Sequence, residues 1–345
     1  MDTAEFDFTL PDTLIARDPV EPRDAARLLV TRTGSAAVEH RTVRDLPDLL
    51  RPGDLLVLNR TRVIPARLLG TRPGGGAAEI LLVHATETSG DDPRPRWVAL
   101  IRGRVRPGMR IDLPDARVEV LDCCADGTRI IAFPDGCDVL ALCDRIGRVP
   151  LPPYLGRADQ PADRDRYQTV FGDRPGSVAA PTASLHFTND LFDRLATRGL
   201  STTRVELAIG PGTFKPVDTE RIEDFSIHAE WCCCPTDTVA AIAATRAAGG
   251  RVIAVGTTVV RTLQTAAASG ELSAWSGWTR CFLHPPQQLS AIDGLLTNFH
   301  LPRSSLLMLV ACMTGTERLR AIYAEAIREQ YRFYSYGDAM LVLPE

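Results

Sequence analysis

The densest cluster of side chains able to do chemistry lies at 294–302, Gly-Leu-Leu-Thr-Asn-Phe-His-Leu-Pro, where Thr297, Asn298 and His300 stand between two apolar runs. Buried hydroxyl, amide and imidazole groups must find partners. Such a cluster is either tied to backbone in a capped turn before a core helix, or shaped for a ligand. His186, within Ala-Pro-Thr-Ala-Ser-Leu-His-Phe at 180–187, is flanked by apolar residues, which fits a hydrogen-bonded core histidine or a proton-transfer group. His228 and Glu230 are two positions apart, so an extended chain points both to one face. That arrangement gives a general base oriented by a carboxylate, or an ordinary surface pair.

Two glycine-bearing segments could hold an anion or a nucleotide. At 255–261, Val-Gly-Thr-Thr-Val-Val-Arg reads as strand, turn and helix. There Gly256, Thr257 and Thr258 would offer free N–H groups and hydroxyls at a helix start, and Arg261 would reach a phosphate or carboxylate. A plain helix cap at Thr257 or Thr258 accounts for the same residues. At 205–213, Val-Glu-Leu-Ala-Ile-Gly-Pro-Gly-Thr approaches a dinucleotide-binding fingerprint, but the third glycine is missing and Phe-Lys-Pro-Val follows. Pro216 and Val217 start a helix poorly, so a conventional methyltransferase fold is rejected. Gly212 and Thr213 remain as a tight turn that lets backbone approach a ligand.

These groups need a scaffold, and the chain predicts one of α/β class. Helices are expected over 189–197 with Thr188 as cap, over 236–248 ended by Gly249 and Gly250, over 257–268 and over 316–330; strands are expected at 205–209 and 251–255. Between them, 68–149 has a different texture. Short alternating runs at 79–83, 97–101, 117–121 and 129–133 are separated by turn residues at 73–76, 89–93, 107–108, 126–127 and 134–136. Strands at that spacing predict a small barrel or sandwich. The expected architecture is a large mixed α/β domain, residues 1–66 and 149–345, with a small all-β, barrel-like domain inserted at 67–148.

Composition narrows the class. A chain of 345 residues with 45% hydrophobic and 24% charged residues suits a globular protein of two domains. No apolar run approaches the roughly 20 residues that span a bilayer, and the acidic start Met1-Asp-Thr-Ala-Glu5 lacks a secretory pattern. A cytoplasmic protein with no membrane association is expected. The nine cysteines include adjacent runs at 123–124 and 232–234 and no paired Cys-x-x-Cys motifs, so reduced, structural thiols and no metal are expected. A net charge of −4 is not that of a nucleic-acid coat, although a local basic face suffices for RNA. Lys215 is the single lysine, so any such face is built of arginine, as at Arg94, Arg96, Arg102, Arg104, Arg106 and Arg110. Tyr331-Arg-Phe-Tyr-Ser-Tyr336 suits base stacking or a core strand.

The motifs form a series: Arg23-Asp24, the run 53–67 with Asn59, Thr61 and Arg62, then 151–154, 166–171, 176–187 with Thr182, 209–217, 255–261, 294–302, and 331–340 with Asp338. In order and spacing they closely resemble the S-adenosylmethionine:tRNA ribosyltransferase-isomerase family of queuosine biosynthesis, from Phe6 to Met340. The resemblance implies the large α/β domain carrying a β-barrel, and a monomer. It implies transfer and isomerisation of the ribosyl part of S-adenosylmethionine onto 7-aminomethyl-7-deazaguanine in a tRNA with a GUN-type anticodon. Epoxyqueuosine forms, and adenine and methionine leave. S-adenosylmethionine is the co-substrate, with no further cofactor and no metal. His186 or His228 would be base or acid, with Glu230 orienting. Thr297, Asn298 and His300 would hold ribose or deazaguanine, and Thr257, Thr258 and Arg261 the methionine end. Asp24 and Asp338 are second-rank carboxylates. Ser184, Pro211, the run 282–286 and Cys232–234 depart from the family pattern. A paralogue using the same donor on a free deazapurine or other small acceptor is the alternative, and a silent RNA-binding module is disfavoured because the polar clusters span the whole chain.

Overall fold

The computed structural model describes residues 1–87, 92–214 and 216–345. Ser89, Gly90 and Asp91 of the expected turn at 89–93, and Lys215, lie outside the described residues. In chain order the larger unit begins with β1 (Arg27–Arg32), β2 (Val38–Thr42), the short helix α1 (Leu46–Leu49) and β3 (Leu55–Asn59). After β4 (Thr61–Val63) come the barrel strands β5 (Arg67–Thr71), β6 (Ala77–Thr86), β7 (Arg96–Arg102), β8 (Arg110–Asp112), β9 (Arg117–Cys123) and β10 (Arg129–Ala132), then helices α2 (Val139–Ile146) and α3 (Asp163–Arg166). The chain passes through β11 (Arg174–Ser177) to α4 (Asn189–Thr197), β12 (Ser201–Leu207), β13 (Glu230–Cys234), α5 (Thr236–Ala247), β14 (Val252–Val255), α6 (Thr257–Ala266), β15 (Trp275–Thr279), β16 (Gly294–Asn298), α7 (Ser305–Thr314), α8 (Thr316–Arg328) and β17 (Ala339–Leu343).

The larger unit comprises Met1–Thr61, Thr169–Arg174 and Pro181–Glu345; the smaller comprises Arg62–Gln168 and Pro175–Ala180. These bounds are wider than 67–148, because Ile64, Ala66 and Val178 pack into the same core as Ile80, Leu82, Val118 and Val120. The smaller unit closes as a six-stranded barrel in the order β10-β7-β6-β5-β8-β9, every pairing antiparallel. Its strands alternate as a barrel requires: Val118 and Val120 of β9 are fully buried while Arg117 is exposed.

The expected arginine stripe is only partly free on that barrel. Arg94 and Arg96 donate to Asp92, and Arg94 also to Glu119, whereas Arg102, Arg104, Arg106 and Arg110 are exposed.

The larger unit is built on a nine-stranded sheet, β15-β13-β12-β3-β14-β16-β17-β1-β2. Its centre, β12-β3-β14-β16, is parallel, and β17 runs antiparallel to β16 but parallel to β1. Strands covered on both faces read as continuous apolar runs, as Leu-Leu-Val-Leu of β3 and Val-Ile-Ala-Val of β14 do. One face packs α6 and α7 through Val259, Val260, Leu263, Leu307 and Val310. The other packs α4 through Leu191 and Leu195. Thr188 caps α4, accepting the Leu191 N–H at 3.1 Å.

Cys232 and Cys234 of β13 are buried and Cys233 faces the other way. Burial pushes the Cys232 thiol up to about 12 and that of Cys234 up to about 11. Among the described residues no three His, Cys, Asp or Glu side chains converge as metal ligands, and no helix is long and apolar enough to cross a membrane.

Candidate active site

The parallel strands of the larger unit deliver polar residues to their ends, where loops turn away. β16 ends on Thr297 and Asn298, and the Thr297 hydroxyl meets His300 Nε2 at 2.8 Å. The His300 backbone N–H donates to the Tyr323 hydroxyl at 3.0 Å. Asn298 Nδ2 donates to the carbonyls of Tyr334 and Ser335, at 2.8 and 3.2 Å, and its Oδ1 faces His186 Nε2 at 3.3 Å. His186 ends a 3₁₀ turn, Thr182–His186, and is 5% exposed. Burial lowers it to about 4, against the opposing pull of the Asp338 charge, and burial lowers His300 to about 3. Both are neutral hydrogen-bonding groups at pH 7.

Thr182, Thr213, Asn298, His300, Ser304, Leu306, Tyr334 and Ser335 line one recess. A second, smaller recess is lined by Gly212, Thr213, His228, Glu230, Arg261, Ser305 and Leu306. The two share Thr213 and Leu306. The 3₁₀ turn Pro211–Phe214 carries Thr213, so the broken glycine loop becomes a wall and opens no helix. A Cβ on Gly212 would stand 2.2 Å from His228 Cδ2, which is why that turn needs glycine.

Glu230 sets the chemistry of the second recess. One oxygen accepts from the Gly210 N–H and the Thr213 hydroxyl, both at 2.8 Å, and the other is paired with Arg261 Nη1. Arg261 Nε donates to the Cys281 carbonyl at 2.9 Å, while Nη2 is buried without a partner. Glu230 is therefore committed to Arg261 and the turn. The expected orientation of His228 by Glu230 is not made, because β13 starts only at Glu230 and the exposed His228 lies against Gly212.

Several other expected ligand residues are consumed by the protein itself. Asn59 Nδ2 donates to the Leu207 carbonyl and to Thr258 Oγ1, and its Oδ1 accepts the N–H groups of Thr61 and Leu207. That amide ties β3, β12 and α6 together, with the buried Thr61 as part of the tie. Neither Thr257 nor Thr258 caps α6. Gly256, at φ 96°, occupies the cap position with no side-chain bond. Asp338 accepts from the backbone N–H groups of Arg27 and Arg332 and from the Arg332 guanidinium. Asp24 is buried and paired with Arg44 at 3.4 Å, and the charge of Arg23 acts on His186. Arg62 is exposed and belongs to the smaller unit.

Tyr334, Ser335, Ser304 and Leu306 were missed as recess residues. The aromatic interleaving at 331–336 was the available signal for the first two. A larger apolar groove along Phe6, Phe8, Leu319 and Ile327 carries none of the expected site residues.

Residues 3–342 match the family described as queuosine biosynthesis protein. S-adenosylmethionine:tRNA ribosyltransferase-isomerase of Heliobacterium modesticaldum is 48% identical over 350 residues, covering 99% of this chain and all of that protein. The enzyme of the same name from Acidithiobacillus ferrooxidans is 49% identical over 347 residues, covering 100% of this chain and 99% of its own. The crystal structure of S-adenosylmethionine tRNA ribosyltransferase from Thermotoga maritima superimposes with a TM-score of 0.57 at 36% identity, covering 98% of this chain and 100% of that one. With relatives this similar along its whole length, and the barrel-bearing α/β fold in common, the chain belongs to the S-adenosylmethionine:tRNA ribosyltransferase-isomerase family of queuosine biosynthesis.

Proposed function

We propose that this protein transfers and isomerises the ribosyl group of S-adenosylmethionine onto 7-aminomethyl-7-deazaguanine at the wobble position of tRNAs with GUN-type anticodons, giving epoxyqueuosine. The observation that carries this reading is the junction of two unlike recesses at Thr213. The second has a buried guanidinium with one unsatisfied nitrogen, which suits a carboxylate such as that of the methionine moiety. The first is walled by aromatic and uncharged polar side chains, which suits a flat heterocycle.

The sulfonium acidifies the adjoining ribose carbon, so a modest base suffices for the first proton transfer. His228, exposed at the edge of the Arg261 recess, is the candidate for that base. His186 and His300 are held neutral by burial and serve as hydrogen-bonding groups toward Asn298 and Thr297. Glu230 acts through Arg261, fixing its guanidinium. The protein acts in the cytoplasm as a monomer and requires no cofactor beyond its co-substrate.

The test is mass spectrometry of the protein with S-adenosylmethionine and an anticodon stem-loop bearing the aminomethyl-deazaguanine. Free adenine, methionine and the epoxycyclopentanediol mass gain on the RNA are expected. Adenine release with the free base alone would transfer the activity to a small acceptor. Turnover with neither would overturn the reading. Replacement of His228 by Ala should abolish turnover, and undiminished turnover would remove His228 from the scheme.

A further inference from the structure

Tyr334 has a backbone φ of 80°, a left-handed conformation that bulky aromatic residues rarely adopt. Strain of this kind persists only where the surroundings over-determine it, and it concentrates at functional sites. The surroundings here are explicit. The Tyr334 N–H donates to the Phe299 carbonyl at 3.0 Å. Its own carbonyl accepts the Gly337 N–H at 3.0 Å and the Asn298 amide at 2.8 Å. Asn298 also holds the Ser335 carbonyl. Both protons of the Asn298 amide are spent on carbonyls, which can only accept, so its oxygen must face His186. His186 therefore carries its proton on Nε2 and donates it. The chain from His186 through Asn298 to residues 334–335 holds one wall of the first recess in a conformation the sequence alone would not choose. Among the described lining residues that recess has no carboxylate and no guanidinium, so it favours a planar, uncharged ring over a phosphate.

Building on the function proposed above, we propose that Tyr334 is the stacking residue of this recess for a purine-type ring, and that Asn298 is the positioning residue that holds it in its positive-φ turn. Two such rings belong to the reaction, the adenine of the donor and the deazaguanine of the acceptor, and binding assays tell them apart.

The experiment compares the parent with Tyr334→Phe, Tyr334→Ala, Tyr334→Gly and Asn298→Ala. Thermal unfolding and calorimetric titration would be run with S-adenosylmethionine and, separately, 7-aminomethyl-7-deazaguanine. Tyr334→Phe should bind both rings within about twofold of the parent. Tyr334→Gly should weaken one ring by about 5- to 150-fold, the range of base–aromatic stacking. Glycine should unfold at a higher temperature than Tyr334→Ala, because it relieves the backbone strain that alanine keeps. Asn298→Ala should weaken the same ring, and the Tyr334→Gly/Asn298→Ala pair should bind no more weakly than Tyr334→Gly alone. Additive losses would overturn the positioning role. Parent-like binding of both rings by Tyr334→Gly would overturn the stacking role while leaving the proposed function intact. A folded parent that binds neither ring would overturn both. If Asn298→Ala fails to fold, the tyrosine series still decides the stacking role.

Discussion

The most consequential single atom in the site is Arg261 Nη2, buried and unpartnered beside a carboxylate that fixes the rest of its guanidinium. Removing one member of a buried pair leaves an uncompensated charge and costs about 3–5 kcal/mol, whereas replacing both by apolar residues of similar volume is often neutral. Glu230→Gln should therefore lower stability by that amount in urea titrations, and Glu230→Met/Arg261→Met should recover most of it while remaining inactive. A double variant as unstable as the single one would show that the loss is of packing. Titration of the buried histidines gives a second expectation. His186 and His300 protonate at about 4 and about 3 when folded, below the ordinary 6.5. The unfolded chain therefore binds more protons between those values. The stability this allows is complete above pH 6.5 and is lost as pH falls toward 4, on the order of 3 kcal/mol for His186. Midpoints of urea unfolding at pH 7 and pH 5 should show the decline, and His186→Gln should flatten it. Thr213, Asn298, His300, Glu230 and Arg261, singled out by residue type in the sequence, all line one of the two recesses. Their partners were not legible in the sequence. The His228–Glu230 pairing assumed a strand two residues longer than the one that forms, and Asn59 is spent on Leu207, which lies far away in the chain.

Elements were legible wherever periodicity and punctuation agree. The strand–turn–helix at 252–266, the cap at Thr188 and the alternating barrel strands follow from local chemistry. The 3₁₀ turn at 211–214 and the left-handed Tyr334 did not announce themselves, because both are imposed by groups distant in sequence, Glu230 on the first and Phe299 and Asn298 on the second. One element-scale expectation concerns α7. Ser304 caps it by accepting the Leu307 N–H at 3.2 Å, and it also lines the first recess. Ser304→Ala should cost about 1 kcal/mol in thermal or urea unfolding. Because the first turn of α7 carries Ser305 and Leu306 into the second recess, KM for S-adenosylmethionine should rise more than kcat falls. An unchanged KM with the stability loss would confine Ser304 to capping.

Across the whole molecule, three apolar cores, one on each face of the large sheet and one in the barrel, serve two units, and every described residue lining the two recesses belongs to the larger. Binding of S-adenosylmethionine should therefore slow amide exchange in β16, α6 and the turn at 211–214, and leave the barrel strands unchanged. Equal protection in both units would move the ligand elsewhere. The position of β17 has a consequence for synthesis. This strand, Ala339–Leu343, follows every other strand of the sheet in chain order, yet it sits between β16 and β1 and joins the edge pair β1–β2 to the rest of the sheet. The barrel strands are made well before β17, so the barrel can close during translation, whereas the large sheet stays split until β17 has been synthesised. A nascent chain stalled before residue 339 should be protected from protease in the barrel and cut in both flanking halves, so a truncated product would have neither a finished sheet nor a working cleft.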